Sequence, residues 1–399
     1  MTKNRRHAAA LWLCAAAASL AVALPAQAQD CEVKIGAVGP HTGGAAAWGL
    51  AERAGVEFEA AWVNSQGGLG VGDRTCQVRV VSFDSLGTAA GGAAAANYLA
   101  SQRVAATVGP IPTTELTGFL NVARRQGIVN FSTSFGKTAI SADFPLAFQK
   151  VPNPNAWGES LIASAREILA FATVAVVSPN DQGGQEAGES AAHAYEANGV
   201  EATLEYYQRG TSNFSPIVTR LMGQDPDVVE LVPMSPGEAT ILVKQLLQAG
   251  YEGSFGRLGS GSDVILAATG GAEAHHGFFW VETVPTRSEG IQRMNAEFED
   301  LMGQQIPSTS VVYNAQIAAE TILRAISDAG DDQDAEAIAR ALRDLTPRSR
   351  YLGEGGWRGI SEYGINQQLA FPIGMGVIVD GKEHPQTAIP VPAEAGSGS

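Results

Sequence analysis

The chain has 399 residues, enough for two domains that each have a core of their own. It carries 26 basic and 41 acidic residues, which gives a formal net charge of −15 with histidine neutral. This acidic balance, with no basic stripe to offset it, argues against nucleic-acid binding because the phosphate backbone would repel the chain.

The first residues have the pattern of a secretory signal. Lys3, Arg5 and Arg6 form a basic start, an apolar run covers residues 8–24, and Ala-Gln-Ala follows at 26–28. This pattern predicts a signal peptide over residues 1–28 that is removed after Ala28, with a membrane anchor as the alternative. Removing its three basic residues takes the net charge to −18. No other run is long enough to span a bilayer, so we expect a mature protein outside the cytoplasm.

The stretch 32–72 contains a complete strand, turn and helix. Val33, Ile35, Ala37 and Val38 predict a short strand, which ends in the turn residues Gly-Pro-His-Thr-Gly-Gly at 39–44. From residue 45 the apolar residues recur every three or four positions, as in a helix packed on a sheet. The glycine-rich turn therefore lies at a helix amino end, where free N–H groups favour an anion.

The same alternation continues along the chain. Strands are expected at 78–84, 104–108 and 128–131, with helices at 88–102 and 115–125. This order predicts a parallel sheet with helices on both faces, in which ligands bind outside the carboxyl ends of the strands. Prolines at 152 and 154 then suggest a crossing into a second domain.

A second series follows that crossing. Its strands are expected at 173–177, 201–207, 228–232, 254–258 and 277–281, with helices at 156–169, 185–198, 213–222, 236–249 and 262–268. Helices at 288–302, 311–329 and 334–345 then follow in a block, and strands at 351–357 and 368–379 end the folded part. Two similar series joined by several crossings predict two lobes around a cleft that closes by a hinge.

Two cysteines remain after the signal peptide. Cys31 and Cys76 each come just before a predicted strand. If those strands are parallel neighbours, their starts adjoin, and an export compartment permits a bond. A Cys31–Cys76 disulfide is therefore predicted.

Four segments resemble the substrate-binding proteins of branched-chain amino-acid type ABC importers. They are GAVGPHTGGAAAWG at 36–49, Asn-Ser-Gln-Gly-Gly-Leu-Gly at 64–70, Val-Gly-Pro at 108–110 and Asn-Asp-Gln-Gly at 180–183. The resemblance covers essentially the whole mature chain and implies an α/β, two-lobed type I periplasmic binding fold. It implies a first lobe at 31–150 with 282–350, a second lobe at 151–281 with 351–385, and a flexible tail at 386–399.

The resemblance also implies a ligand site on the first lobe. Thr113 and Ser134 stand where family members hold the ligand carboxylate, and the adjacent Thr114 is an alternative. An ordinary helix cap is the competing explanation for both threonines. Trp48 stands at the position of a cleft aromatic, with a core tryptophan as the competing explanation.

The second lobe departs from the family pattern. Gly261 stands where amino-acid binders often have an acid that pairs with the ligand ammonium, and Asp263 either compensates or caps a helix. Gln182 replaces a frequent tyrosine, and Phe135 adds a large ring beside Ser134. A carboxylate with an aromatic or neutral body, or a small amide, therefore fits at least as well as an aliphatic amino acid.

Catalytic, metal and cofactor sites are not expected. The turn at 259–262 lacks the spacing of a nucleophile elbow, adjacent His275 and His276 point apart in an extended segment, and the glycines at 68–72 lack the preceding strand of a dinucleotide site. We therefore expect a protein that is not an enzyme and needs no cofactor.

The resemblance implies the function and the partners. It implies a monomeric periplasmic carrier that delivers a small solute to ABC permease subunits in the inner membrane. The alternatives are a ligand-sensing protein that presents an amide-type solute to a receptor and, third, a secreted hydrolase.

Overall fold

The computed structural model describes residues 31–394, so the predicted signal peptide lies outside the described residues. Within that described part, no helix is both long and apolar enough to cross a membrane. The chain forms two α/β lobes, and it passes between their sheets three times. The expected pair of lobes is therefore present.

The strands alternate with helices through most of the chain. They are β1 Glu32–Gly39, β2 Leu69–Val71, β3 Arg74–Asp84, β4 Ala106–Val108, β5 Val129–Ser132, β6 Ala147–Gln149, β7 Thr173–Pro179, β8 Glu201–Tyr207, β9 Val228–Glu230, β10 Ser254–Arg257, β11 Gly277–Glu282, β12 Arg348–Ser349, β13 Gly353–Glu354, β14 Gly356–Arg358, β15 Gln368–Ala370, β16 Ile373–Val379, β17 Lys382–Glu383 and β18 Thr387–Ile389.

The helices cover the faces of the two large sheets. They are α1 Ala46–Ser65, α2 Ala89–Ser101, α3 Thr113–Gln126, α4 Gly158–Ile168, α5 Gln182–Ala197, α6 Ser215–Gln224, α7 Pro236–Gln248, α8 Ser262–Thr269, α9 Glu289–Met302, α10 Val311–Ala329, α11 Ala335–Asp344 and α12 Ile360–Tyr363.

Each lobe is built on one mostly parallel sheet. The first lobe has the strand order β14-β15-β6-β5-β4-β1-β3-β2, and the second has β17-β16-β11-β10-β9-β7-β8 with β18 beside β16. Neighbours such as β1 and β4, or β7 and β9, run parallel, so their carboxyl ends share one edge. Ligands of such sheets bind beyond that edge.

The first core lies between its sheet and helices α1 and α10. The apolar positions of α1 face inward, and Phe58 is fully buried. Gly55 allows the two helices to cross closely, because a side chain there would lie 2.3 Å from the carbonyl oxygen of Val312. The periodic pattern of α1 in the sequence thus corresponds to a packed helix pair.

The predicted disulfide is confirmed. Cys31 and Cys76 are bonded, with their Cα atoms 4.4 Å apart. Strands β1 and β3 are parallel neighbours with Glu32 opposite Gln77, so the two cysteines stand side by side at the strand starts. The two strands are thus parallel neighbours with adjoining starts, as the prediction requires.

The expected boundary of the second lobe needs correction. The sequence indicated one strand over 368–379 within a second-lobe segment at 351–385, but the chain divides there. Strands β14 and β15 join the first sheet, and only β16 and the strands after it join the second. The division falls at Pro372, which has no N–H group with which to continue a strand ladder.

The predicted tail is also different over its first half. Residues 386–394 were expected to be flexible, whereas β18 pairs with β16. Ile389 and Val391 are buried in the second core, and the Glu394 carboxylate accepts a hydrogen bond from Ser361. Two apolar residues within a proline-rich segment are sufficient to anchor it to the lobe.

Candidate functional site

A cavity lies between the two lobes, beyond the carboxyl ends of the strands. It encloses about 570 Å³, part of it open to solvent. The first lobe contributes Trp48, Ile111, Pro112, Thr113, Thr133, Phe135 and Val311, and the second contributes Gly183, Arg209, Pro233, Gly259 and Ser260. Since both lobes supply its walls, a molecule held there would contact both at once.

The structure brings Thr113 and Ser134 together. Their hydroxyl oxygens are 2.7 Å apart, and Ser134 Oγ also accepts a hydrogen bond from the N–H of Gly136 at 3.2 Å. Thr113 is the first residue of α3, and its side chain makes no capping bond. The hydroxyl and the free N–H groups at this helix amino end form a suitable place for a carboxylate.

Two aromatic side chains form apolar walls. Trp48 lines the cavity, and its indole Nε1 donates to the carbonyl oxygen of Ser260 on the other lobe at 3.2 Å. Phe135 lines the cavity from the turn after β5 and also packs against the second core. Both rings therefore belong to the cleft and span its two sides.

Ser134 does not itself line the cavity, although its hydroxyl bonds to that of Thr113, and three further predicted site residues lie elsewhere. The Thr114 hydroxyl donates to the Gly87 carbonyl at 3.1 Å, and Gln182 is exposed and donates to Glu186 at 3.1 Å. Asp263 lines a separate polar cavity with Glu282. These three side chains are on the expected helices but do not line the cavity, and Asp263 instead faces a second space that Gln292 and Tyr313 of the first lobe also line.

Arg209 is a site residue that the sequence analysis missed. It lines the cavity two residues after the end of β8, and its Nε donates to Asp181 Oδ2 at 2.6 Å. Glu238 lies 3.9 Å from the same guanidinium. The sequence did contain a signal, namely the position of Arg209 just after a predicted strand. A basic residue at the carboxyl end of a parallel strand faces the edge of the sheet where ligands bind.

A buried arginine supports the second-lobe wall. Arg257 is fully buried and donates to the carbonyl oxygens of Met234 and Ser260, both at 2.8 Å. Burial lowers its pKa to about 10, and burial raises the pKa of the nearby Glu230 to about 7. Its guanidinium lies 5.9 Å from the centre of the Trp48 ring, within range of a cation–π contact.

The two lobes are in contact around the cavity. The N–H of Gly237 donates to the carbonyl oxygen of Gly44 at 3.1 Å, so backbone meets backbone across the cleft. At Gly183 the approach is closer still, since a side-chain carbon there would lie 2.2 Å from Thr113 Oγ1. The structure therefore represents a closed arrangement of the lobes.

The fold and this cleft define a two-lobed solute-binding protein. The sequence profile of the periplasmic binding protein family matches residues 32–369. The chain therefore belongs to the periplasmic binding protein family. Within residues 31–394, no group of three or more His, Cys, Asp or Glu side chains could hold a metal ion.

Curated relatives are similar over most of their length. A Leu/Ile/Val-binding protein homolog of Brucella melitensis is 25% identical over 82% of this chain and 88% of its own. The leucine-, isoleucine-, valine-, threonine- and alanine-binding protein of Pseudomonas aeruginosa is 26% identical over 79% of this chain and 83% of its own.

Solved structures share the fold. The branched-chain amino acid transporter substrate-binding protein LivJ of Streptococcus pneumoniae, in complex with isoleucine, has a TM-score of 0.75 at 19% identity, covering 90% of this chain and 99% of that one. An ABC transporter solute-binding protein of R. palustris, in complex with benzoate, has a TM-score of 0.73 at 17% identity, covering 91% and 98%. The type I periplasmic binding fold implied by the sequence is thus confirmed.

Proposed function

We propose that this protein is the periplasmic substrate-binding component of an ABC importer and captures a small carboxylate-bearing solute between its lobes. The observation that carries the proposal is the cavity shared by both lobes, lined by Thr113 at the amino end of α3, whose hydroxyl bonds to Ser134, and by the rings of Trp48 and Phe135. The pair suits a carboxylate, and the rings suit an apolar body.

The relatives support both parts of the proposal. The R. palustris protein is named as an ABC transporter solute-binding protein and holds benzoate, and the S. pneumoniae protein is named as a branched-chain amino acid transporter substrate-binding protein and holds isoleucine. Both molecules carry a carboxylate. Proteins of this fold thus accept ligands that share a carboxylate and differ in the rest of the molecule. The cavity described here has a matching arrangement, with polar groups in one corner and apolar walls elsewhere.

Binding and delivery follow from closure. A solute enters between open lobes, contacts both, and stabilises the closed form by its greater affinity for that form. The closed molecule, acting as a monomer, then docks on the permease subunits. The signal pattern at 1–28 and the disulfide both suit an oxidising compartment outside the cytoplasm.

Thermal unfolding tests the binding function. Ligand-free mature protein is heated with branched-chain amino acids, aryl and alkyl carboxylates, dicarboxylates and small amides. A ligand at about a hundredfold over its Kd adds about 2.7 kcal/mol to the free energy of unfolding, which raises Tm by several degrees. A panel in which no carboxylate raises Tm would contradict the proposal.

Neighbouring threonines provide a matched pair of variants. Thr113→Val removes the hydroxyl that faces the cavity, and we expect a loss of about tenfold or more in affinity for the solute that raises Tm. Thr114→Val removes a hydroxyl that bonds to Gly87 outside the cavity, and affinity should not change. Equal effects of the two substitutions would contradict the placement of the carboxylate.

Deletion of the gene should abolish uptake of the same solute.

A further inference from the structure

One corner of the cavity brings together helix amino ends from both lobes. Helix α3 begins there at Thr113 and helix α5 begins there at Gln182, with Gly183 packed against the Thr113 side chain. Helix amino ends carry partial positive charge, and here two of them meet. The Arg209 guanidinium is tied to the same place through Asp181, the residue that caps α5. An anion at this corner would accept from the free N–H groups of α3, whereas the amino end of α5 is already capped by the Asp181 carboxylate.

The acids beside this corner are already engaged. Asp181 accepts from the Gly184 N–H at 2.9 Å with one oxygen and from Arg209 with the other. Glu238 accepts from the Tyr207 hydroxyl at 2.9 Å and from the Gly210 N–H at 2.6 Å, besides capping α7. A ligand ammonium would have to displace one of these partners. Among the described residues that line the cavity, none is acidic.

The opposite wall has no place for an acid. Gly261 has a φ of 94°, a conformation that side chains rarely adopt. A side-chain carbon there would lie 2.7 Å from Pro236 Cγ and 3.3 Å from Trp48 Nε1. An aspartate or glutamate at this position would therefore have to displace Pro236 of its own lobe, and its side chain would crowd Trp48 of the other lobe.

The backbone carbonyl oxygen of Ser260, on the same wall, has no free lone pair for a ligand. The Ser260 oxygen accepts from Trp48 Nε1 at 3.2 Å and from Arg257 at 2.8 Å, which uses both of its lone pairs. The side chains beside it, such as Ile111, Pro233 and Val311, are apolar. An ammonium enclosed there would lose its hydration and gain no carboxylate partner, only neutral oxygens such as Thr133 Oγ1, which is costly.

From this arrangement we propose that the cavity selects a monocarboxylate with an apolar body and no ammonium group, and that Arg209 is the residue that sets this selectivity. The inference rests on the proposed function and narrows its ligand class. The carboxylate lies between Thr113 and Arg209, and the apolar body extends toward Trp48, Phe135 and Val311. Arg209 supplies guanidinium N–H groups to the second-lobe side of the cavity, beside the Asp181 carboxylate with which it is paired.

Matched ligand pairs test the selectivity by isothermal titration calorimetry. The pairs are leucine with 4-methylpentanoate and phenylalanine with 3-phenylpropanoate, each measured on ligand-free mature protein. We expect the member without the ammonium to bind at least about a hundredfold more tightly in one pair or both. If leucine or phenylalanine binds as tightly as its partner, the inference is overturned while the carrier function stands. If no carboxylate binds at all, both are overturned.

Substitution of Arg209 separates its role from general packing. Arg209→Gln should weaken binding of the monocarboxylate by about tenfold or more, because a charge-assisted hydrogen bond is lost. It also releases Asp181 and Glu238, so the preference over the amino acid should shrink. The control is Arg220→Gln, since Arg220 pairs with Glu205 on the same lobe away from the cavity. If the ratio of the Kd values for the amino acid and the monocarboxylate is unchanged in a folded Arg209→Gln variant, the role of Arg209 in selectivity is refuted.

Discussion

Closure of the lobes depends on the absence of a side chain at Gly183. The residue lies in the first turn of α5, and a Cβ atom there would lie 2.2 Å from Oγ1 and 2.5 Å from Cβ of Thr113 on the opposite lobe. Atoms of this kind do not approach closer than about 3 Å, so the lobes must separate by part of an ångström or more. Gly183→Ala therefore introduces a steric clash in the closed form only.

The magnitude follows from the cost of overpacking. Inserting a carbon into a closely packed contact costs about 1–3 kcal/mol. Because the contact exists only when the lobes are closed, the cost appears in ligand binding and corresponds to a loss of about 5- to 150-fold in affinity. In the unliganded open protein, alanine in a helix is favoured over glycine by up to about 1 kcal/mol. We therefore expect weaker binding together with equal or higher stability without ligand.

Calorimetric titration and urea unfolding measure the two quantities separately. The control is Gly223→Ala in α6, where a side chain would meet nothing within 4 Å, and it should alter stability alone. A second comparison is Gly184→Ala, whose side chain would lie 2.1 Å from the Pro179 carbonyl of its own lobe and should destabilise the fold itself. An unchanged Kd in folded Gly183→Ala would refute the idea that binding requires this closed contact.

Two further predictions concern buried charge. Burial raises the pKa of the Glu115 carboxyl to about 8, so the folded protein holds its proton between about pH 4.5 and 8 and the free energy of unfolding should fall by roughly 4 kcal/mol across that range. Glu115→Gln should remove this part of the slope in urea unfolding at pH 5 and pH 8, and an identical slope would contradict the burial argument. Lys150 forms an ion pair with Glu52 in which both side chains are buried, so Lys150→Met should cost about 3–5 kcal/mol by leaving a carboxylate unpaired. The double variant with Glu52→Gln should recover most of that loss, and equal stabilities of the single and double variants would refute the pairing.

The sequence was sufficient to predict most helices and strands because the patterns that indicate them are local. Helix bounds such as Ala335–Asp344 follow from a 3.6-residue period, and the start of a strand at Glu32 follows from an apolar run between turn residues. The Cys31–Cys76 bond needed one further assumption, that two strands are parallel neighbours. That assumption held because consecutive strands of a βαβ unit pair with each other.

The cavity was harder to predict because it depends on how two lobes meet. Asp263 lies two residues from the expected position, yet it lines a different cavity, together with Trp280 and Glu282. Arg209 was missed because it belongs to no recognised motif, and its partners Asp181 and Glu238 are distant in sequence. Side-chain direction at a lobe interface is set by tertiary packing, which no local period encodes.

The glycines at the cleft have a role that the sequence alone did not reveal. The glycine-rich turn at 39–44 was interpreted as an anion site, but Gly44 instead meets Gly237 through a backbone hydrogen bond between the lobes. Gly183 and Gly261 likewise allow Thr113 and Trp48 to come close. Missing side chains thus bring the amino ends of α3 and α5 together. Because the Asp181 carboxylate already caps α5, the free N–H groups at the amino end of α3 are the ones left for the proposed carboxylate. In this scheme, the close approach that closes the lobes also completes the ligand site.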